Sequence, residues 1–309
     1  SIMSIFVRNW RDQEPYVGHI SALVWTLYRS HDKEDKSLTD VNRLHGISSF
    51  VKHGIQGHQH SDHHQHADIE QLYFILRGRG QLIIGDDKVD VQEGTAVYMP
   101  VNVPHQAFNG GEGWMEHLIV SCPLNEIRDG TPAVRNWRDI QPVVLEGGTI
   151  AWSLLQREEA ADAREGGVLQ HIHSVTRHAV QGRHDSTLYK LDTIELIHYV
   201  LSGHGMIEDL EGKRQIVTEG CAVHVLPGVG HRLVNQTEGW LEYVTFAVEI
   251  NEKEEEAVAT ESDRGSGELE RFREVTPPMG VEIPVRTEKP REEAKEGATD
   301  SDGITERIT

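Results

Sequence analysis

Five histidines lie within nine residues of this chain: His58, His60, His63, His64 and His66. His64 and His66 are separated by one residue, and side chains two apart on a β-strand point to the same face. Neutral imidazoles are common ligands for divalent transition metals. The pair therefore indicates a metal site. The other three are typical of a solvated polar loop, which could also trap adventitious nickel during purification.

Two further side chains complete a candidate ligand set. Gln71 begins the next predicted strand and can reach back toward the histidine pair, and His105 lies in a later block, residues 94–109, which contains two prolines. Three imidazoles and one amide oxygen suit a first-row divalent ion and leave positions for water or substrate. Glu70 is the alternative to Gln71 if the strand carries a one-residue bulge. We expect one divalent transition metal ion per chain, with Fe, Mn, Ni and Zn all open.

These residues resemble the motifs of the cupin family. The first cupin motif is a glycine, an HxH pair, three or four residues, an acidic ligand, six residues and a glycine. The second is a glycine, a proline-bearing turn, a histidine and an asparagine. Here Gly57 lies one residue further from the HxH pair, and counting back from Gly78 puts Gln71 at the ligand position in place of Glu70. The resemblance implies a jelly-roll barrel and a bound metal. A neutral amide would leave the ion a stronger Lewis acid toward an anionic substrate.

The chain also contains an internal duplication. The hexapeptide VRNWRD occurs at residues 7–12 and again at 134–139. Three further blocks recur at an offset between 125 and 127: residues 71–80 with 196–205, 104–109 with 230–235, and 112–116 with 238–242. Four similar blocks at a nearly constant offset predict two copies of one fold. We expect His105 to superpose on His231, and Trp10 on Trp137.

Each half is rich in short strand-forming runs. Residues 71–76 and 81–84 are aromatic and β-branched, with glycines between them and hairpin residues after them. Such closely spaced strands suit a closed barrel or jelly roll. We therefore predict an all-β protein of tandem double-stranded β-helix (jelly-roll) barrels, a bicupin. Its parts would be a metal-binding barrel at 1–128, a second barrel at 129–250, and an acidic C-terminal tail at 251–309.

The predicted tail differs in composition from the two barrels. Residues 251–309 contain 17 acidic and 9 basic residues, and their only aromatic side chain is Phe272. A segment of this composition buries too little apolar area to offset the loss of chain entropy. We therefore expect a largely disordered tail.

The second half lacks most of the ligand set. With the halves aligned on Gly203, Tyr189, Leu191 and Leu196 stand at the positions of His64, His66 and Gln71, and His231 alone is kept. We expect this barrel to bind no metal and to have a structural role. A cofactor-free pocket around Tyr189 and His231 is the alternative. The two barrels should form an internal pseudo-dimer, and a further homodimer is an open expectation.

The composition of the chain limits which molecules it is expected to bind and where it is expected to be located. The net charge is −20 at pH 7, which argues against nucleic acid and against anionic membrane surfaces. The first ten residues lack the features of a signal peptide, and Cys122 and Cys221 fall one in each half. We expect a cytoplasmic protein with a small-molecule substrate.

Three functions remain open. The first is a metal-dependent enzyme acting on a small, anionic organic molecule, with a dioxygenase favoured. The second is a redox-neutral isomerase or lyase, and the third is a non-catalytic binding or sensor protein. By strand alternation from Gln71, Tyr73 should point toward the metal, and it is our candidate catalytic residue as a proton donor or hydrogen-bond partner. A core aromatic with a satisfied hydroxyl is the alternative for this side chain.

Overall fold

The structure is a computed structural model, and it describes residues 4–33, 40–160 and 166–262. The strands of the first half are β1 (Ile5–Asn9), β2 (Tyr16–Gly18), β3 (Ala22–Ser30), β4 (Asn42–Leu44), β5 (Ser49–Ile55), β6 (Gln59–His60), β7 (Ile69–Arg77), β8 (Arg79–Ile84), β9 (Asp87–Gln92), β10 (Thr95–Met99), β11 (His105–Asn109) and β12 (Met115–Pro123). Those of the second half are β13 (Ala133–Asn136), β14 (Val143–Val144), β15 (Ile150–Arg157), β16 (Gly167–Leu169), β17 (Ile172–Val180), β18 (His184–Asp185), β19 (Ile194–Ser202), β20 (His204–Asp209), β21 (Arg214–Thr218), β22 (Cys221–Val225), β23 (His231–Asn235) and β24 (Leu241–Glu249). Short 3-10 turns lie at Trp10–Asp12, Trp137–Asp139 and Glu146–Gly148, and one α-helix, α1, spans Glu252–Ser262.

Each half builds one large and one small sheet. In the first barrel the large sheet has the order β13-β10-β7-β12-β5-β3-β2, with β4 beside β3, and the small sheet is β6-β11-β8-β9. In the second barrel the large sheet is β1-β22-β19-β24-β17-β15-β14, with β16 beside β15, and the small sheet is β18-β23-β20-β21. The two orders correspond strand for strand. The all-β class and the internal duplication are therefore confirmed.

The two halves exchange their first strands. Strand β1 pairs antiparallel with β22 in the large sheet of the second barrel, and β13 pairs with β10 in that of the first barrel. A division of the chain at 128/129 therefore does not follow the sheets, since each barrel takes an outer strand from the other half. The repeated hexapeptide is this exchanged strand with the 3-10 turn after it. Each exchanged strand covers the edge of β22 or β10 and becomes the outer strand of that sheet.

The repeated tryptophan occupies equivalent places in both copies. Trp10 packs edge-on against Trp25 at 5.2 Å, and Trp137 packs against Trp152 at 5.3 Å. This equivalence matches the expected superposition of Trp10 on Trp137.

The side chain of Trp137 leaves no room for a Cβ atom at Gly94. Gly94 has φ +82°, and a Cβ added there would lie 2.4 Å from Cδ1 of Trp137. Gly94→Ala should therefore lower the free energy of unfolding in urea by about 2–3 kcal/mol, through backbone strain and displacement of the indole. Gly212→Ala is the matched control, because Gly212 has φ +81° with nothing within 4 Å of its added Cβ. It should cost about 1 kcal/mol. Equal losses at the two sites would mean that the tryptophan contact contributes nothing.

An apolar cluster joins the large sheets of the two barrels. Phe246 of the second barrel lies 5.6 Å from Phe50 and 6.3 Å from Phe74 of the first, measured between ring centroids. The same cluster contains buried residues from both halves, including Tyr98 and Tyr199. The internal pseudo-dimer is therefore confirmed, and its interface is a continuous hydrophobic core.

Two buried carboxylates tie the barrels together, and Glu70 is the first. Its side chain is fully buried on β7 and accepts hydrogen bonds from the backbone N–H groups of His171 (2.8 Å) and Ile172 (2.6 Å) in the second half. The hydroxyl of Tyr98 donates a further bond at 2.5 Å.

Glu195 is the counterpart on β19. It accepts from the backbone N–H groups of His45, Gly46 and Ile47 at 2.9–3.1 Å, and from Nε2 of His224 at 2.9 Å. Each barrel thus satisfies backbone donors of the other with one buried acid.

The predicted tail begins with helix α1, and residues 263–309 lie outside the described residues. Cys122 and Cys221 are both buried and free. In the part of the chain that the structure describes, no helix has the length and apolar character needed to cross a membrane.

Candidate metal centre

Three of the four predicted ligands come together at the first barrel. His64 is not in a continuous strand: it forms an isolated antiparallel bridge with His105, which begins β11. The ring centroids are 4.4 Å apart for His64 and His105, 5.0 Å for His64 and His66, and 5.5 Å for His66 and His105. One ring nitrogen from each lies within 4.8 Å of the others, which is close enough to share one ion.

Hydrogen bonds on the outer side of the rings orient two of these imidazoles. Nδ1 of His64 lies 3.2 Å from the carbonyl oxygen of Asp62, and Nδ1 of His105 lies 3.1 Å from that of Val103. Because a carbonyl only accepts, each Nδ1 carries the proton and each Nε2 keeps its lone pair. Metal-binding histidines in proteins are held in this way.

The atoms that would face an ion lack other partners. Nε2 of His66 and Nε2 of His105 are buried and have no hydrogen-bond partner among the described residues. Burial lowers the pKa of His105 to about 4, and burial followed by the charge of His64 lowers the pKa of His66. Both imidazoles are therefore unprotonated at neutral pH, as ligation requires.

Gln71 presents its oxygen in the same manner. Its Nε2 donates to the hydroxyl of Ser121 at 2.9 Å, while its Oε1 is buried without a partner in the described chain. The strand around it is regular: Gln71 pairs with Met99 on one side and with Ser121 on the other. The register shift between β7 and β12 falls at Glu116/His117, far from Gln71. Glu70 lies on the opposite face, bound to the second barrel. The donor set of the three histidines and Gln71 thus fits a divalent transition metal.

Sequence reasoning missed a pair at the mouth of this site. Nδ1 of His19 lies 2.8 Å from Oδ1 of Asp62, and Oδ2 of Asp62 lies 3.5 Å from Nδ1 of His64. His19 also stacks against His64 at 5.3 Å. It sits in the left-handed region, with φ +47°, in the turn between β2 and β3. The position of Asp62, two residues before His64, was the available signal; no pattern in the sequence points to His19.

Tyr73, the candidate catalytic residue, lies beside His105. It is 5% exposed, its ring is edge-on to His105 at 6.0 Å, and it stacks on His117 at 4.9 Å. Burial raises its pKa, so the phenol stays protonated at neutral pH and keeps an O–H group to donate.

Two buried histidines that the sequence did not single out lie behind Tyr73. His53 is 5.3 Å from His117, and burial lowers the pKa of both, that of His117 to about 3. They form a neutral aromatic wall of the barrel interior.

The remaining histidines of the loop face solvent. His58, His60 and His63 are exposed, and none belongs to a group that could hold a metal within the described residues. His58 instead lies 2.9 Å from Glu112. This placement agrees with a solvated polar loop.

The second barrel keeps the backbone of the site without its ligands. Tyr189 and His231 form the same isolated bridge as His64 and His105. Leu191 and Leu196 pack with the apolar interior of this barrel. In the described part of the second barrel, no three side chains are grouped for metal binding.

Ser121 provides a test of the glutamine ligand. Ser121→Ala should weaken metal binding by about 10-fold, because removing a group that orients a ligand costs 10–100-fold. The dissociation constant can be measured by competition with a chromophoric chelator. Ser48→Ala is the control, since the Ser48 hydroxyl bonds only to the carbonyl of Ser121, at 3.0 Å. Unchanged affinity in Ser121→Ala would argue against Gln71 as a ligand.

Comparisons with known proteins agree with the geometry. Residues 52–121 and 169–247 each match the family model described as a cupin domain. An uncharacterized protein of Methanocaldococcus jannaschii is 35% identical over 60 residues, which is 19% of this chain and 48% of that protein. The match thus spans about half the length of that relative.

Solved structures with similar folds contain two barrels. A Lactobacillus farciminis oxalate decarboxylase in complex with formate has a TM-score of 0.61 and 12% identity, over 87% of this chain and 96% of that chain. A Pseudomonas aeruginosa protein described as glyoxylate-induced has a TM-score of 0.62 and 14% identity, over 80% and 89% of the two chains. At these identities the likeness concerns the fold. Together with the two matched regions, it shows that this chain is a two-domain cupin.

Proposed function

We propose that the chain is a metal-dependent enzyme that acts on a small anionic organic molecule at the first barrel, with dioxygenation as the reaction class. The observation that carries the proposal is the set of unpartnered buried atoms: Nε2 of His66, Nε2 of His105 and Oε1 of Gln71. Leaving buried polar groups unpaired costs about 1–3 kcal/mol each. Such a cost is tolerated where a ligand compensates for it.

The donor set supports an anionic substrate. Three imidazoles and an amide bring no negative charge, so a bound iron, manganese, nickel or zinc ion would keep its full charge and act as a Lewis acid with open positions. The carboxylate of Asp62 lies beside His64, and it is engaged by His19 and His64. A carboxylate-bearing substrate would supply the missing negative charge.

The chain's own residues have separable roles. Asp62 orients the His64 ring through Nδ1 and so favours a lone pair on Nε2. Tyr73 would donate a hydrogen bond from its neutral hydroxyl to the bound substrate. The aromatic and imidazole rings behind Tyr73 would exclude water from that side.

A redox-neutral isomerase or lyase is the second candidate. The observation that favours it is Tyr73 itself, since a protonated hydroxyl beside the site suits proton donation to a carbon or oxygen atom. The oxalate decarboxylases of similar fold are consistent with a small dicarboxylate as substrate, and their likeness concerns the fold alone. A non-catalytic binder is the third candidate.

Metal loading and oxygen uptake separate these functions. Protein stripped with chelator is loaded singly with iron, manganese, nickel or zinc and tested against small mono- and dicarboxylates, with and without air. A dioxygenase consumes oxygen only in the iron-loaded form. Turnover without oxygen would indicate a redox-neutral isomerase or lyase in place of a dioxygenase. Substrate binding without turnover in any of the metal-loaded forms would indicate a non-catalytic binding protein. Tyr73→Phe should lower turnover while leaving metal content at one ion per chain.

Assembly and location are also proposals. We also propose a homodimer, a small-molecule substrate and a cytoplasmic location. The formal net charge of −20 at pH 7 argues against nucleic acid and anionic membranes as partners. Light scattering at 34.8 kDa would indicate a monomer and exclude the homodimer.

A further inference from the structure

Two side chains, His19 and Asp62, lie on the solvent side of the histidines of the first barrel, and we call them the mouth pair. Each of these side chains is 39% exposed and that of His64 is 21% exposed, whereas His105 is 2% exposed as a whole residue. His19 stacks on His64, with the ring centroids 5.3 Å apart. The mouth pair therefore borders the outer side of the metal centre.

The mouth pair and His64 present donor atoms at the spacing of a metal site. Nδ1 of His19 lies 2.8 Å from Oδ1 of Asp62, and Oδ2 of Asp62 lies 3.5 Å from Nδ1 of His64. Two ligands bonded at about 2.0–2.2 Å to one ion lie roughly 3–3.5 Å apart. One donor atom from each of the three side chains lies within 4.8 Å of the others. Two imidazoles and a carboxylate are ordinary ligands for divalent transition metals.

The turn that carries His19 is strained and is tied to the histidine loop. Ile20 has φ +73°, an outlier for a β-branched residue, and His19 precedes it at φ +47°. The N–H of Ser21 donates to the carbonyl of His19 at 2.9 Å, which closes a three-residue turn across Ile20. The hydroxyl of Ser21 donates to the carbonyl of His60 at 2.8 Å. Backbone strain of this kind is concentrated at ligand sites, where the surrounding contacts enforce it.

The second barrel lacks the mouth pair as well as the metal ligands. Its corresponding turn, between β14 and β15, places glycines in the left-handed region, with Gly147 at φ +80° and Gly148 at φ +84°. Thr187 occupies the position of Asp62 when the isolated bridges of the two barrels are aligned. The strained turn and the mouth pair thus occur in the barrel that has the metal ligands.

We propose that the mouth pair and Nδ1 of His64 form an entry site, which captures a divalent transition metal ion from solvent and passes it to the metal centre. Asp62 attracts the cation with its carboxylate, and His19 and His64 each donate the lone pair of Nδ1 while their protons are on Nε2. His64 then binds the same ion through Nε2, beside His66 and His105, and its proton returns to Nδ1. A metal site needs such an entry path.

The entry site is expected to hold an ion only in passing. When Nε2 of His64 binds the ion, Nδ1 of the same ring donates its proton to the carbonyl of Asp62, which lies 3.2 Å away. The mouth pair then offers two donors, fewer than the three or four protein ligands of stable sites. Dialysed protein should therefore contain one ion per chain. The entry site requires the metal centre of the first barrel but not the reaction proposed there.

Loading kinetics test the entry site. Metal-free protein is mixed with zinc, and a chromophoric indicator follows the free zinc. His19→Asn removes one donor and keeps a residue type that tolerates a left-handed backbone. It should slow loading about 10-fold, because local capture of a counter-ion raises association rates by at least this factor. The dissociation constant should stay nearly unchanged, because His19 is not a ligand of the centre. Asp62→Asn, which keeps the carbonyl that faces His64, should slow loading by a similar factor.

His58→Asn is the matched control. His58 has φ +61° and lies 2.9 Å from Glu112, so it resembles His19 in its backbone and in its acidic partner. Within the described residues, however, it belongs to no group that could hold a metal. His58→Asn should load zinc at the wild-type rate.

Two results would overturn the entry site. The first is loading at the wild-type rate in both His19→Asn and Asp62→Asn. The second is faster loading in His19→Asn, which would mean that the imidazole closes the mouth of the site. If one variant does not fold, the loading rate of the other decides. Either result would leave the metal centre intact, whereas a wild-type chain that binds no zinc at equilibrium would remove the centre and the entry site together.

Discussion

We expect His105→Ala to reduce metal content from one ion per chain to near zero. The substitution removes the imidazole whose Nε2 is buried and unpartnered, and it leaves two imidazoles and one amide oxygen. Removing a group that merely orients a ligand already costs 10–100-fold in affinity, and loss of a ligand costs more. Elemental analysis after dialysis measures the result. His64→Ala should act in the same way.

His231→Ala is the matched control, because His231 occupies the equivalent bridge in the second barrel. Its metal content should equal that of the wild-type chain. Gln71→Glu should retain or tighten the ion, because a carboxylate adds charge at the same reach. Two ions per wild-type chain, or loss of metal in His231→Ala, would show that our assignment of the second barrel is wrong.

Glu195→Ala should lower the free energy of unfolding by about 3–5 kcal/mol. The carboxylate accepts from three backbone N–H groups of the first half and from His224, and all four donors stay buried when it is removed. Breaking a buried charged network by deleting one partner costs this much. Urea denaturation of metal-free protein measures the loss without a contribution from the ion. Glu238→Ala is the surface control, since Glu238 is 81% exposed and pairs with Arg183. It should change stability by less than about 1 kcal/mol.

Glu70→Gln separates the two assignments of the fourth ligand. Because Glu70 binds backbone donors of the second barrel, the variant should lose stability and keep one metal ion per chain. An empty metal site in Glu70→Gln, with a full site in Gln71→Ala, would instead make Glu70 the ligand.

Acid should weaken the interface at Glu195. Burial acts to raise the pKa of this carboxyl, but the hydrogen bond and charge of His224, with further contributions from His45, outweigh burial and hold it below its ordinary 4.5. An acid with a depressed pKa stabilises the fold above its unfolded pKa and loses that contribution as the pH falls through the folded value. Stability of the wild-type chain should therefore fall below about pH 4.5, and Glu195→Gln should show a shallower fall. Parallel pH profiles of stability for the wild-type chain and Glu195→Gln would contradict this prediction.

The sequence alone determined the features that depend on local pattern. Strand-forming runs and a repeat at a nearly constant offset were sufficient to predict two all-β barrels. Two segments with the same pattern of buried and exposed residues are expected to adopt the same fold. The spacing of the HxH pair and His105 was sufficient to group three imidazoles, although His64 and His66 lie outside the continuous strands and strand alternation does not account for that pair. Alternation along β7 did separate the faces taken by Gln71 and Glu70.

Tertiary structure decided what depends on contacts between distant segments. The exchange of β1 and β13 could not be predicted, because both copies of the hexapeptide fit either barrel equally well. His19 reaches the site through a turn far from the motif. No local pattern relates it to Asp62, 43 positions along the chain, because the two side chains meet only in the folded barrel.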